Sequence, residues 1–384
     1  MSLTNNTTIQ ATVKETTLDQ QNLECIYASD STEEKNSKLW AYYVILLGSL
    51  FGNVFIIAIV YKNRDLHKTI NYYIVNMAVS DLIFPFMSLP VQLGQIQADS
   101  QHWPISGILG LMFCKLFYFA SLVSIHVSAQ SLVWIAVDRF VAVVFPLKLG
   151  LISKKIRTIA IVSTWIFAGF LNSPSLIVAE LVVSGNDTVC KEMNYSETIF
   201  SDQEAYTTYV WLQLTFVHVG PLFLITILYS AIAVALKRKN NALANTAPDV
   251  KRNPMMRNRR QAMRMAVVIV VLYYVCVTPH TLLHLLIYCN WRTSCAFQRE
   301  LLLIASFSVY SSSVVNPTIC LIFVRSYRRG LRNILCPCGR MPDKKITKPR
   351  GLITLKKMKN LTDQNHPRHF KDTENDKDIL DTVL

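Results

Sequence analysis

Charged residues are scarce in this chain. They make up 17% of its 384 residues, whereas 51% are hydrophobic and the mean hydropathy is +0.29. Seven apolar runs each reach the roughly 20 residues needed to cross a bilayer, and a soluble core would explain only one or two of them. The sequence therefore predicts an all-α membrane protein with seven spans: Trp40–Tyr61, Tyr72–Leu93, Ile108–Val144, Ile156–Val182, Tyr206–Leu236, Met265–Tyr288 and Leu301–Val324.

Intramembrane charge and catalytic motifs are also sparse. Asp81 is the one acid deep within a predicted span, whereas a transporter or channel would require several such charges and broken helices. The sequence has no H-E-x-x-H motif and no other cluster of nucleophile, base and metal ligands, so we predict that it is not an enzyme. The first 39 residues lack an apolar core, so we expect no cleavable signal peptide.

Basic residues are unevenly distributed about the spans, which predicts an orientation. Seven of the 39 Lys and Arg fall in the N-terminal segment and alternate loops, and the other 32 fall on the opposite side. The positive-inside rule therefore puts the N-terminus outside the plasma membrane and the net charge of +14 on the inner face, where it attracts anionic lipid rather than nucleic acid. Glycosylation sequons occur on the predicted outside at Asn5, Asn6, Asn186 and Asn194.

The predicted segments are an extracellular glycosylated tail (1–39), a seven-helix domain (40–325), an amphipathic membrane-surface eighth helix (326–338) and a disordered cytoplasmic tail (339–384). Cys114 and Cys190 face outwards, where a disulfide is permitted. The pairing of the outer thiols Cys25, Cys289 and Cys295 stays open. Cys336 and Cys338 are either palmitoylated or free, and the C-terminal "DTVL" is compatible with a PDZ-domain partner.

Asp138 and Arg139 lie side by side at the inner end of the third span. Arg can extend its guanidinium to the interface and Asp can neutralise it. Two interpretations remain at this point: a static ion pair, or a latch that opens when a partner offers Arg139 a better contact.

The Asp-Arg-Phe triplet, followed by Val-x-x-Pro-Leu, resembles the rhodopsin-like (class A) G-protein-coupled receptors. Further matches run in order along the chain over residues 40 to about 336, and eight in register on seven spans are specific. They are "GNV" at Gly52–Val54, "NMAVSD" ending at Asp81, Trp103 and Cys114, Trp165, Pro221 and Tyr229, Pro279, "NP" at Asn316–Pro317, and "RSYRRGLRNIL".

The resemblance implies roles for residues in two inner regions. An outward swing of the sixth helix about Pro279 would let Arg139 leave Asp138 and admit a heterotrimeric G protein, with arrestin as a further partner. The implied coupling residues are Asp138, Arg139, Phe140, Tyr229, Pro279, Asn316 and Pro317. The implied sodium site combines Asp81 with Ser128, Ser312 and Ser313; the alternative is a protonated Asp81 hydrogen-bonded to Asn316 or Asn53. The resemblance also implies a Cys114–Cys190 disulfide.

Several positions depart from the family pattern. Val277 stands where Trp is usual before Pro279, and Cys320 replaces the Tyr of Asn-Pro-x-x-Tyr. The start of the sixth span carries Arg259 and Arg260 rather than an acid that would bind Arg139. A less tethered inactive state predicts basal activity, and the alternative is a signalling-poor decoy receptor.

The predicted ligand is a basic or C-terminally amidated neuropeptide. Ser121 replaces the Asp of amine receptors, and Tyr310 replaces the Lys that retinal needs. The general look of the spans is similar to that of RFamide and neuropeptide-Y-like receptors, with a lipid or nucleoside as the alternative ligand. Acids in the outer loops would steer a cationic ligand towards an uncharged polar pocket, and the H-x-x-x-H pair in that pocket could bridge zinc or simply hydrogen-bond. The predicted pocket residues are Gln95, Ser121, Gln213, His280, Thr281, His284, Ser306 and Tyr310.

Overall fold

The computed structural model describes residues 30–145, 152–184, 187–193, 198–199, 202–246, 254–289 and 295–335. Eight helices organise this part of the chain. They are α1 Thr32–Lys62, α2 Thr69–Ala98, α3 Gly107–Val144, α4 Lys154–Asn172, α5 (Gln203–Leu214, a π-helical turn Thr215–Val219, and Gly220–Thr246), α6 Pro254–Tyr288, α7 Cys295–Phe323 and α8 Arg325–Leu335.

Six of these helices, α1, α2, α3, α5, α6 and α7, are long and apolar enough to cross a membrane. The remaining one of the predicted seven, α4, is 19 residues long and carries Lys154, Lys155 and Arg157 at its start. α3 packs against α2, α4 and α5, while α7 packs against α1, α2 and α6. The predicted seven-helix bundle is confirmed.

The first helix begins at Thr32, before the predicted start at Trp40, because Ser31 forms a capping box with Glu34. The Ser31 hydroxyl accepts from Glu34 N at 3.3 Å, and Ser31 N donates to Glu34 Oε2 at 3.1 Å. Glu33 adds a second acid at the positive end of the helix dipole. These groups satisfy a helix start beyond the apolar run.

A two-stranded hairpin follows α4, and the predicted fourth span, Ile156–Val182, is too long. The helix ends at Asn172, shortly before Pro174, which has no N–H to donate. After one helical turn at Ser175–Val178 come β1 (Ala179–Ser184) and β2 (Asp187–Glu192), paired antiparallel with Leu181 opposite Cys190. The chain is therefore predominantly, not entirely, α-helical.

Close approaches fix α7 and α8 against α1. A Cβ on Gly52 would come within 2.8 Å of the Pro317 ring, so only glycine lets α1 lie this close to α7. On α8, a Cβ on Gly330 would lie 2.5 Å from Ile59 Cγ2. The chain divides into two compact units, Met1–Leu331 and Arg332–Leu384, and only residues 332–335 of the second unit are described.

Candidate functional site

Asp81 is buried where four helices meet. Ser128 of α3 donates to its Oδ1 at 2.6 Å, and Asn316 of α7 donates to its Oδ2 at 2.7 Å. Ser49 of α1 donates to the Asp81 backbone carbonyl at 3.2 Å, and Ser80 Oγ lies 2.8 Å from Ser128 Oγ. The Asp81 carboxylate thus joins α2 to α3 and α7 through hydrogen bonds, and the Asp81 backbone carbonyl adds a bond to α1.

The other residues implied for the sodium site bind elsewhere. Ser312 and Ser313 donate their hydroxyls to Val309 O and Tyr310 O on their own helix. Asn53 donates to Ser49 O and to Ser313 O. In the hydrogen bonds of the described residues, Asp81 pairs with Asn316 and not with Asn53.

The chemistry around Asp81 fits a monovalent cation. Asn316 Oδ1 is buried and has no hydrogen-bond partner among the described residues, although its amide nitrogen is bound to the carboxylate. Such an orphan oxygen is costly unless a donor or cation satisfies it. Asp81, Ser128 and Asn316 could therefore supply a charged and two neutral oxygen ligands to a small hard cation.

Arg139 lies at the end of α3 with its guanidinium folded onto its own neighbour. Nη2 and Nε reach Asp138 Oδ2 at 2.6 and 3.1 Å, with Asp138 nearly buried. In the loop before α2, burial lowers the pKa of Lys68, and the Arg139 charge lowers it further. Phe140 packs edge-on against Phe145 with ring centroids 5.9 Å apart. The side chains of Arg259 and Arg260 lie outside the described residues.

A polar bond joins α6 to α3 below Pro279. The Tyr273 hydroxyl donates to Ile125 O at 2.9 Å, and Val277 is buried one turn further along. Tyr229 lines an apolar groove of about 760 Å³ between α5 and α6, and its buried hydroxyl has no partner among the described residues. The link from Tyr273 to α3 could not be predicted from the sequence, because the partner is a backbone carbonyl.

A buried tyrosine on α8 lies near Cys320 of α7. Cys320 and Tyr327 are both buried, and burial holds the pKa of Tyr327 far above its usual range. The Tyr327 hydroxyl donates to Asn71 Oδ1 at 3.0 Å, and Asn71 Nδ2 donates to Leu66 O at 2.7 Å. The base of α2 therefore holds α8 by a hydrogen bond that sequence reasoning missed.

The hairpin is fastened to α3 by the Cys114–Cys190 disulfide, which confirms the predicted pair. Trp103 packs against this region and donates its indole N–H to Gly110 O at 3.1 Å, while its backbone N–H donates to Thr188 O at 2.7 Å. Gly110 itself has room for no side chain, since a Cβ there would lie 2.0 Å from Ile105 O. The hairpin is thus held over one end of the bundle, called the hairpin end below.

A cavity of about 470 Å³ opens at the hairpin end, and its wall carries charges of both signs. Asp30 binds Lys38 at 2.6 Å and also binds Arg299 at the start of α7. The predicted pocket residues Gln95 and Ser306 line it. The uncharged pocket expected from the sequence is therefore wrong for this part of the site. The charged residues of its wall are Asp30, Lys38, Asp99, Lys191 and Arg299.

Two more predicted pocket residues meet below this cavity. Ser121 Oγ lies 2.7 Å from Ser88 Oγ, and the Tyr310 side chain lies near Ser88. The Tyr310 ring is stacked on Phe84 with centroids 4.8 Å apart. This cluster connects α2, α3 and α7.

The other four predicted pocket residues lie on α5 and α6. Gln213 binds Leu171 O at 3.1 Å and Tyr209 Oη at 2.7 Å. Thr281 is hydrogen-bonded to the ring of His218, and His280 faces His284. None of these four lines the described 470 Å³ cavity.

Several acids of the expected anionic rim already have partners. Lys35 binds Asp99 at 2.5 Å, Ser100 donates to Asp187 at 2.7 Å, and Asp202 caps α5 by accepting from Ala205 N at 2.7 Å. Of these partners only Lys35 carries a charge, so Asp99 is neutralised, whereas the hydrogen bonds to Asp187 and Asp202 leave their negative charges in place.

A seven-helix bundle with a disulfide-fastened hairpin at one end and an Asp-Arg pair at the other defines a transmembrane receptor architecture. Residues 52–319 match the sequence model of a protein family, the seven-transmembrane receptors of the rhodopsin family. The QRFP-like peptide receptor of Branchiostoma floridae is 28% identical over 334 residues, covering 83% of each chain. Neuropeptide FF receptor 1 of Homo sapiens is 28% identical over 333 residues, 82% of this chain and 74% of that receptor. The RYamide receptor of Tribolium castaneum is 26% identical over 253 residues, 63% and 65% respectively.

The chain belongs to the rhodopsin family of seven-transmembrane receptors. It is a multi-pass membrane protein and a receptor rather than an enzyme, as the sequence analysis predicted.

Proposed function

We propose that the protein is a G-protein-coupled receptor for an extracellular peptide with a basic residue and an amidated C-terminus. The observation that carries the proposal is the hairpin-end cavity, in whose wall Asp30 forms ion pairs with Lys38 and Arg299. A basic residue of the peptide can replace Lys38 as the partner of Asp30. An amidated C-terminus has no negative charge and so does not compete with the acids of the wall for their basic partners. The names of the three relatives above are all those of peptide receptors.

The activating step follows from the two ends of the bundle. Peptide binding at the hairpin end favours an outward swing of α6 about Pro279, where the helix lacks a hydrogen bond. Arg139 then leaves Asp138 and contacts the Gα subunit, and Tyr229 supports the open form with its otherwise unpartnered hydroxyl. Nucleotide exchange on the G protein is the output.

The experiment is a screen of amidated peptides, each with its free-acid twin, in cells that carry a G-protein sensor. We expect an amidated peptide with a basic residue to activate, and its free acid to be at least tenfold weaker. Surface expression is measured in parallel. Activation by lipids or nucleosides alone, or silence towards every ligand despite normal surface expression, would overturn the proposal.

We propose that Asp81, Ser128 and Asn316 bind sodium. The unpartnered Oδ1 of Asn316, whose amide nitrogen binds the carboxylate, supports this assignment. The substitution Asp81→Asn should abolish any effect of sodium, relative to potassium, on agonist affinity. Equal sodium sensitivity in the variant and the parent would contradict it.

We also propose a plasma-membrane location with an extracellular N-terminus, supported by the distribution of basic residues. The attached groups would be glycans at Asn5, Asn6, Asn186 and Asn194 and palmitate at Cys336 and Cys338; these residues, like Cys25, lie outside the described part. Arrestin and a PDZ-domain protein would bind on the inner side. Glycosidase shifts, protease accessibility on intact cells, acyl exchange and binding to C-terminal peptides test these assignments.

A further inference from the structure

Two histidines on α6 face each other at an unusual separation. His280 Nε2 and His284 Nε2 lie 3.3 Å apart, with ring centroids separated by 4.4 Å and planes inclined at 53°. Residues four apart on a helix project from the same face, so the pairing needs no distortion of α6. A neutral imidazole carries one proton, and when that proton is on Nδ1 the Nε2 lone pair is available as a ligand. With both rings in this tautomer, both Nε2 atoms can bind a metal ion.

The separation of the two nitrogens fits a shared metal ion. Zinc–nitrogen bonds of 2.0–2.1 Å at a tetrahedral angle put two ligand nitrogens about 3.3–3.4 Å apart, which matches the 3.3 Å between His280 Nε2 and His284 Nε2. Imidazole nitrogen is a preferred ligand for Zn²⁺, but a poor one for Mg²⁺ or Ca²⁺.

The surroundings determine what kind of metal site this pair can make. The described residues contain no group of three or more His, Cys, Asp and Glu able to hold a metal ion. His218 of α5 lies near the pair, but its Nε2 is already hydrogen-bonded to Thr281. Two coordination positions therefore stay open for water or for a ligand group.

We propose that His280 and His284 bind Zn²⁺ through their Nε2 atoms, as a two-histidine site with open coordination positions. Two protein ligands give weaker binding than the three or four of catalytic and structural zinc sites, so the dissociation constant should be micromolar. Because both ligands stand on one helix, binding requires no movement of α6 against α5. Zinc binding is thus independent of signalling and does not rest on the proposed function.

The test measures zinc binding to the full-length receptor in lipid nanodiscs, by competition with a chromophoric zinc indicator. His366 and His369 in the C-terminal tail form another closely spaced pair, so all measurements use the His366→Gln/His369→Gln background. We expect one Zn²⁺ per receptor, bound in the presence of excess Mg²⁺ and Ca²⁺. Bound Co²⁺ should show the visible absorption of a tetrahedral site.

Three variants decide the assignment. His284→Gln should weaken zinc binding at least tenfold, because the amide cannot replace the imidazole. His284→Cys should restore it, since thiolate is also a zinc ligand and since a restored site proves correct folding. His102→Gln removes an exposed hairpin-end histidine that lies 3.5 Å from Asp187 and should change nothing.

Three results would overturn the proposal. One is equal zinc affinity in the His284→Gln variant and the parent, which would mean that the metal binds elsewhere. Another is weak binding in His284→Gln that His284→Cys fails to restore although the variant keeps the thermal unfolding midpoint of the parent. Loss of zinc binding in His102→Gln would move the site to the hairpin end and contradict it as well.

Discussion

Single hydroxyl groups carry restraints that a sequence pattern does not reveal. Tyr273 is an example. Its hydroxyl donates to the backbone carbonyl of Ile125 on α3, a residue 148 positions earlier in the sequence. Val277, one turn further along α6, is smaller than the tryptophan usual in the family and is apolar. Among the described residues, the Tyr273 hydroxyl therefore provides the polar link between α6 and α3. This bond is a restraint on α6 that was not considered when a poorly tethered inactive state was predicted from Arg259 and Arg260; that expectation stays a prediction.

Tyr273→Phe should raise ligand-free signalling. A hydrogen bond contributes about 1 kcal/mol net, which corresponds to roughly a fivefold shift in a two-state equilibrium. The measurement is nucleotide exchange on the G protein without ligand, normalised to surface expression. Tyr274→Phe is the matched control because Tyr274 bonds to His218 O on α5 instead. An equal rise in both variants, or none in either, would contradict a specific restraint on α3.

Arg139→Ala should leave surface expression and agonist binding intact while reducing agonist-stimulated nucleotide exchange at least tenfold. The guanidinium is the group proposed to contact Gα once it leaves Asp138. Asp138→Asn is the companion variant, in which the guanidinium loses its charged partner; ligand-free exchange should rise. Full signalling by Arg139→Ala would remove Arg139 from the mechanism.

Whole elements were predictable where one apolar run makes one helix. The bundle follows from such runs, but the hairpin does not, because "AELVV" continues the apolar run of α4 and differs only in its β-branched residues and the preceding Pro174. The ion pair of Asp30 with Arg299 joins residues 269 apart. No local pattern encodes such a contact, so the charged wall of the cavity could not be foreseen.

The attachment of α8 to α2 gives a prediction for an element. Tyr327→Phe and Asn71→Ala should each speed hydrogen–deuterium exchange of peptides covering residues 325–335, because each breaks the 3.0 Å Tyr327–Asn71 bond. The double variant should exchange no faster than the more affected single variant, as expected for residues that share one interaction. Additive effects would mean that each residue acts through other contacts.

At the scale of the molecule, ligand and G protein act on one conformational equilibrium in the proposed mechanism. The factor by which nucleotide-free G protein tightens agonist binding should equal the factor by which agonist tightens G-protein binding. Titrations of each partner in the absence and presence of the other, on receptor in nanodiscs, measure both factors. A factor of one in both titrations would mean that the ligand site and the G-protein site are not coupled, and would contradict the mechanism.

His218 links α5 to α6 by hydrogen bonds. The His218 ring is hydrogen-bonded to Thr281 and its carbonyl accepts from Tyr274 at 3.5 Å. Two positions of α6, about two turns apart, are therefore attached to the π-helical turn of α5. Asp81 separately connects four other helices: its carboxylate joins α2 to α3 and α7, and its backbone carbonyl accepts a hydrogen bond from α1. A displacement of α5 or α6 is therefore transmitted to the other helix through His218. The four helices that Asp81 connects form the fixed part of the bundle, relative to which α5 and α6 move.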